Sequence, residues 1–226
     1  MTFDFDSRPS TSPLVEVIWR TRSERDADSF ISVAVAQWEM VITQQYGRAV
    51  CTIRGPETKA SPAPIPKNAE FFGVTFKLGA FMPTLPVGNL VDGGIHLPEA
   101  TGQSFWLQGS TWQLPTFDNA DTFIERLARQ GLLTYEPVVD DVLQGRIGDL
   151  SLRSVQRRFL RATGLTHGTV YQIQRARYAM SLLQQGIGIH DTVEEAGYAD
   201  QSHLTRSLKR FIGQTPAQLL AVNTTR

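Results

Sequence analysis

A single cysteine, Cys51, occurs among 226 residues, so no intrachain disulfide can form and a reducing compartment is the natural setting. Histidine is nearly as scarce, with only His96, His167, His190 and His203. A metal centre needs several converging histidine, cysteine or carboxylate ligands, so neither a metal site nor any other cofactor is expected. No apolar run approaches the ~18 residues of a membrane span, and no membrane partner is expected. The start, MTFDFDSRPSTSP, lacks the basic and then apolar stretches of a secretion signal, and the reading is a cytoplasmic chain. A formal net charge of zero argues against a uniformly basic coat for nucleic acid. No Gly-x-Ser-x-Gly elbow, Walker loop or dinucleotide fingerprint appears, so no catalytic residue is assigned and no enzyme is expected.

What is present suits a globular chain: 41% apolar, 19% charged and 9% aromatic residues, enough for one large or two modest domains. The balanced charge conceals a division. From Leu150 onward ten Lys and Arg residues face four acids, Asp191, Glu194, Glu195 and Asp200; the first 149 residues carry twelve basic and eighteen acidic ones. Such a split hints at a polyanion-binding module joined to something different. Texture changes too, since all four tryptophans and eleven of the twelve prolines precede residue 138. Leu14–Arg20, Ser29–Val41, Ala49–Arg54 and Phe71–Lys77 hold β-branched and aromatic residues in partial alternation. Tyr46-Gly47, Gly55-Pro56, Ser61-Pro62-Ala63-Pro64 and Pro66-Lys67-Asn68 punctuate them as turns and loops. The reading is α+β. A β-rich domain spans residues 1–117, and a connecting helix and linker span 118–136, with Phe123, Ile124 and Leu127 on one face. An all-α domain over 137–226 opens with a short helix, Val138–Gln144.

Helical spacing governs the last third. Ser151 is placed to cap a helix that ends at Gly164, and Thr169–Gln185 forms a long helix with Val170, Ile173, Met180 and Leu183 inward, stopped by Gly186. Asp191-Thr192-Val193-Glu194 reads as a capping-box variant opening a short helix that Gly197 ends. Asp200 caps a final helix, Gln201–Ile212, closed by Gly213. SLRSVQRRFLRATG and DQSHLTRSLKRFIG share a cap, two apolar residues four apart, basic residues and a closing glycine. They read as two copies of one unit. In the first, Val155 and Phe159 face inward while Arg153, Gln156 and Arg157 share an outer face, and Arg158 and Arg161 reach toward phosphates. In the second, Leu204, Leu208 and Phe211 face inward; Gln201, Ser202, His203 and Arg206 face out, with Lys209 and Arg210 available to phosphate. Arginine forks onto guanine and glutamine onto adenine in the major groove, where a helix-turn-helix unit lays its second helix. The partner so implied is double-stranded DNA at two adjacent major-groove segments.

The stretch DTVEEAGYADQSHLTRSLKRFIGQTPAQL carries a GY…S-H-L-T-R…G-x-T-P pattern, and SVQRRFLRATG precedes it. On these residues the last third resembles the DNA-binding domain of the AraC/XylS family of bacterial transcription regulators. The resemblance implies two helix-turn-helix units in one chain, joined by the 169–185 helix, with Arg153, Gln156, Arg157, Gln201, Ser202, His203 and Arg206 facing bases. One departure stands out: residues 142–150 are longer and richer in glycine than the family's turn before its first recognition helix.

In that family an N-terminal β-rich domain, often a cupin-like barrel, senses a small-molecule effector or mediates dimerisation, and an activator also meets RNA polymerase. By this analogy the expected partners are an effector at the N-terminal domain, a second copy of the chain and, for an activator, the polymerase. Trp19, Trp38, Trp106 and Trp112, with Phe105, are the candidate pocket aromatics, and Arg54 the candidate anchor for an anionic ligand. Barrel core is the competing role for those aromatics. Two alternatives stay open: an N-terminal domain that binds only protein or itself, and a cupin-like enzyme domain fused to the DNA-binding part. His96 alone cannot furnish a cupin metal site, and Cys51 within an apolar strand reads as buried and inert.

Overall fold

The computed structural model describes residues 4–23, 27–146 and 150–221. Eight strands come first: β1 (Asp4–Arg8), β2 (Val15–Ser23), β3 (Ala27–Ser32), β4 (Glu39–Gln45), β5 (Arg48–Arg54), β6 (Ser61–Ile65), β7 (Ala69–Phe76) and β8 (Ala80–Phe81). After a 3-10 turn at Val87–Leu90 follow β9 (Gly94–His96), β10 (Glu99–Thr101), β11 (Ser104–Leu107) and β12 (Ser110–Gln113). The chain continues through α1 (Ala120–Arg129), β13 (Thr134–Tyr135), α2 (Val138–Leu143) and α3 (Leu152–Thr163). It closes with α4 (His167–Gln184), α5 (Ile189–Glu195), α6 (Gln201–Phe211) and α7 (Pro216–Ala221). The fold is α+β, sheet first and helices after. Among the described residues, no helix is long and apolar enough to cross a membrane.

The main sheet runs β1-β2-β7-β4-β5-β9, every neighbouring pair antiparallel. Its register explains its core. Ile18 pairs with Val74, Val74 with Met40 and Met40 with Ile53, so one row of apolar side chains crosses four strands, and each is at most 1% exposed. Trp38 stacks on Phe76 at 3.9 Å between centroids and donates its indole N–H to the Ala80 carbonyl at 2.6 Å. Cys51 lies in the same interior, where burial pushes its thiol up to about 12. A three-stranded sheet, β10-β11-β12, brings Phe105 and Trp112 edge-on to Phe123 of α1.

Two compact units result. The first gathers the described residues of Met1–Asp28, Gln37–Pro56 and Ile65–His167, and so includes α3; the second gathers those of Ser29–Ala36, Glu57–Pro64 and Gly168–Arg226. Within the second, β3 and β6 pair as a small sheet of their own. The expected continuous segment Ser29–Val41 is therefore divided: β3 stops at Ser32 and β4 starts at Glu39. Between them only Val35 finds a ladder partner, Glu57. Ser61-Pro62-Ala63-Pro64, expected as loop, is strand; in a two-stranded sheet a proline can face away from the ladder and need not donate. Helix α4 buries Val170, Ile173, Ala176, Ala179, Leu182 and Leu183, while Met180, expected inward, is half-buried. Helix α5 begins at Ile189 after Gly188, and no side chain caps it. The expected capping box at Asp191 does not form, because Asp191 already lies within the first helical turn.

Candidate nucleic-acid interface

The two basic helices are bounded by the same local devices. Ser151, in extended backbone, accepts the Ser154 N–H at 3.3 Å, and Gly164 ends α3 in left-handed conformation at φ 72°. Asp200 accepts the His203 N–H at 2.6 Å, and Gly213 follows α6 with φ 78°. Neither helix contains an acidic residue. Phe159 and Ala162 turn inward from α3, as Leu204, Leu208 and Phe211 do from α6. The opposite faces carry the polar residues: Arg153, Gln156 and Arg157 are exposed on α3, and Gln201, Ser202 and Arg206 on α6. Lys209 and Arg210 are exposed in the last turn of α6, where the helix dipole favours cations.

The scaffold of the second unit is tight. The turn from α5 to α6 passes through Gly197 at φ 68°. Tyr198, 6% exposed, shares a 2.8 Å hydrogen bond with Ser207 on α6. Arg175 of α4 lies over the Tyr198 ring at 4.2 Å, donates to the Gly197 carbonyl at 3.3 Å and approaches His203 Nε2 at 3.4 Å. His203 also meets Tyr198 edge-on. It is thus half-buried at the margin of the outer face, tied to its own scaffold, unlike its neighbours Gln201 and Ser202. At the other end of α6, the Phe211 carbonyl accepts the Ala34 N–H at 2.7 Å and the Arg210 carbonyl accepts the Ala60 N–H at 2.8 Å. Segments from the first half of the chain therefore satisfy the carbonyls that a helix end leaves open.

Helix α2 ends at Leu143, Arg146 folds back onto Asp141, and the glycine-rich departure noted in the sequence falls partly on residues 147–149, outside the described residues. The flank of α3 is engaged within its own unit: Arg158 Nε donates to Glu136 at 3.0 Å, and the Arg161 guanidinium lies 5.4 Å from the Phe81 ring. Sequence reasoning missed Glu136 and Arg175. Neither belongs to a periodic pattern, and the partners of each lie far along the chain.

The residues named for a ligand do not converge. Trp38 and Trp112 are core, 3% and 1% exposed. Trp19 stacks on Phe5 and donates to Thr75 at 3.2 Å, Trp106 is 47% exposed, and Arg54 pairs with Glu39 at 3.7 Å. A cavity of about 680 Å³ opens elsewhere in the first unit, where Arg20, Arg22, Phe71, Phe72 and Phe117 contribute to the wall. The Arg20 guanidinium sits 4.4 Å above the Phe117 ring and pairs with Asp6 at 2.6 Å. His96 is exposed and bonded to Thr52, and among the described residues no cluster of His, Cys, Asp or Glu is arranged to hold a metal.

Two capped basic helices, the second standing behind a short helix and a tight turn, define a helix-turn-helix domain, and the family model described as a helix-turn-helix domain matches residues 146–221. Over these residues the chain is similar to the AraC-type helix-turn-helix domain. The chain is 35% identical over 97 residues to the HTH-type transcriptional regulator VirS of Mycobacterium tuberculosis, covering 42% of this chain and 26% of that protein. It is 37% identical over 71 residues to the HTH-type transcriptional regulator RipA of Corynebacterium glutamicum, covering 31% and 22%. The chain thus spans about a quarter of the length of these curated relatives. Among solved structures, ToxT from Vibrio cholerae O395 is similar with a TM-score of 0.40 and 12% identity, over 97% of this chain and 99% of that one.

Proposed function

We propose that this protein is a sequence-specific DNA-binding transcription regulator that reads two major-groove segments with α3 and α6. The observation that carries the reading is the pair of matched helices, each free of acid, each capped, each turning Arg with Gln or Ser outward. Arg153, Gln156 and Arg157 on one, and Gln201, Ser202 and Arg206 on the other, are the base-reading set. Arg161, Lys209 and Arg210 supply phosphate contacts, which position without specifying. His203, held by Arg175, contributes mainly by fixing the start of α6. Counterion release gives the test. Log affinity for duplex DNA falls with log salt at a slope of about −0.9 per phosphate neutralised, and a flat dependence sinks the proposal.

An effector acting on the first unit is the second element of the reading, and the Arg20–Arg22–Phe117 cavity supports it. Aromatic walls, with Arg20 and Arg22 paired to Asp6 and Glu70 in the same lining, suit a small zwitterionic molecule with a planar apolar body. Such a molecule raises the melting temperature by mass action and, by linkage, changes affinity for the operator. Stabilisation with unchanged DNA affinity removes it as an effector.

A further inference from the structure

Three arginines of α3, Arg157, Arg158 and Arg161, line an open cleft of about 560 Å³ together with one carboxylate, Glu136. That carboxylate is not a loose surface group. Its side chain is 12% exposed against 43% for Arg158. Its backbone N–H donates to the Gly79 carbonyl at 2.9 Å, directly after β13, which pairs with β8. One carboxylate oxygen accepts the Val138 N–H at 3.3 Å at the start of α2, and the other accepts Arg158 Nε at 3.0 Å. Glu136 is therefore held on two sides before it meets the arginine. Two further contacts within the first unit hold the same helix. Arg161 lies over Phe81, the β8 residue paired with Thr134, and Gly164 abuts Val87 and Gly88 so closely that an added Cβ stands 3.0 Å from the Gly88 nitrogen.

We propose that Glu136 is an internal stand-in for a DNA phosphate, a latch that holds Arg158 and restrains the first recognition helix until a real phosphate displaces it. The inference rests on the DNA-binding reading of α3. Its physical basis is the charge count in the cleft. Among the described residues that line the cleft, one carboxylate faces three guanidiniums, so the cleft attracts a further anion. Arg157 belongs to the outward, base-facing side of α3, so a phosphate drawn to Arg157 and Arg161 arrives beside the Glu136–Arg158 pair and competes for Arg158. A carboxylate and a phosphate offer a guanidinium the same acceptor geometry, so the exchange replaces one charge-assisted bond by another. Arg158 is half-exposed, which keeps the strength of the pair within reach of that competition.

The experiment measures binding of the full chain to a selected operator duplex across a salt series, for wild type, Glu136→Gln, Arg158→Gln and the double variant. Glutamine keeps an acceptor for the Val138 N–H and removes the charge. Glu136→Gln is expected to tighten binding about two- to fivefold, the range a half-exposed ion pair represents. The salt slope is expected to stay near the wild-type value, because Arg158 meets a phosphate in both complexes. In the Arg158→Gln background the Glu136 substitution is expected to change nothing. A gain that persists without Arg158 overturns the latch, because removal of a negative charge near DNA then explains it. Wild-type affinity in Glu136→Gln overturns it as well, and leaves DNA binding standing. A wild-type chain that binds no duplex overturns both readings. Should Glu136→Gln lower the melting temperature by more than a few degrees, Arg158→Gln decides alone: a slope shallower by up to about 0.9 supports an arginine that phosphate has taken from Glu136, and an unchanged slope overturns the latch, because Arg158 then never leaves Glu136.

Discussion

Helices α3 and α6 start from one local pattern and end in different company. Both have a side-chain cap, an apolar stripe, an acid-free outer face and a left-handed glycine beyond the last turn. Yet α3 shares its compact unit with the sheet, its flanking arginines occupied by Glu136 and Phe81. Helix α6 belongs to the helical unit, braced by Tyr198 and Arg175 at its start and by the backbone of Ala34 and Ala60 at its end. The difference separates two kinds of information. Caps and periodicity decide that a helix forms; charges and backbone donors from distant segments decide how free it is to act.

The largest expected effect tests whether α3 is energetically part of the sheet unit. Phe159 is 2% exposed and Leu204 fully buried, so Phe159→Ala should cost about 3–5 kcal/mol and Leu204→Ala about 2–5 kcal/mol. All four tryptophans lie in the first unit, so their fluorescence reports its unfolding. Phe159→Ala is expected to shift the tryptophan-detected urea transition. Leu204→Ala should act first on the helical circular dichroism. A tryptophan transition indifferent to Phe159→Ala would dissolve the distinction between the two helices.

DNA readout comes next in size. Arg206 is exposed one turn beyond Ser202 on the outer face of α6. If it forks onto guanine, Arg206→Ala costs about 1–3 kcal/mol and relaxes selectivity at one base pair. Arg158→Ala is expected to change affinity less and equally for all sequences. Binding of both variants to a randomised duplex library, read position by position, checks the pair. Uniform loss for Arg206→Ala would reduce it to a phosphate contact.

What the sequence disclosed follows the same division. Ser151, Gly164, Asp200 and Gly213 were legible because a cap and its partner lie within four residues, and the two copies could be compared. The strands were legible only where alternation was strong, and their pairings were not. The partition of Ser29–Val41 depends on Glu57, and the strand character of Ser61–Ile65 depends on β3, both distant along the chain. Tryptophan misdirected the search for a pocket: size favours burial, and Trp38 and Trp112 fill the core while Phe71, Phe72 and Phe117 line the cavity. Glu136 gave no signal at all, because its meaning lies in an arginine 22 residues away.

The smallest expected effect compares the caps themselves. Replacing a capping side chain by alanine costs about 0.5–2 kcal/mol, and the two sites should fall at different ends of that range. At α6 a carboxylate accepts the His203 N–H at 2.6 Å, a charge-assisted bond aligned with the positive end of the helix. At α3 a neutral hydroxyl accepts the Ser154 N–H at 3.3 Å and is shared with the Ser154 side chain at 3.1 Å. Asp200→Ala is therefore expected to cost more than Ser151→Ala. Asp200→Asn and Asp200→Ser should restore most of the loss, since each keeps an acceptor for the same N–H. Salt sharpens the comparison: the dipole part of the Asp200 contribution is screened, so the gap between the two alanine variants should narrow at high ionic strength. Equal costs at low salt would mean that the shorter bond confers nothing, and that contacts beyond the first turn hold both helices in register. Urea unfolding of the four variants at two salt concentrations makes the measurement.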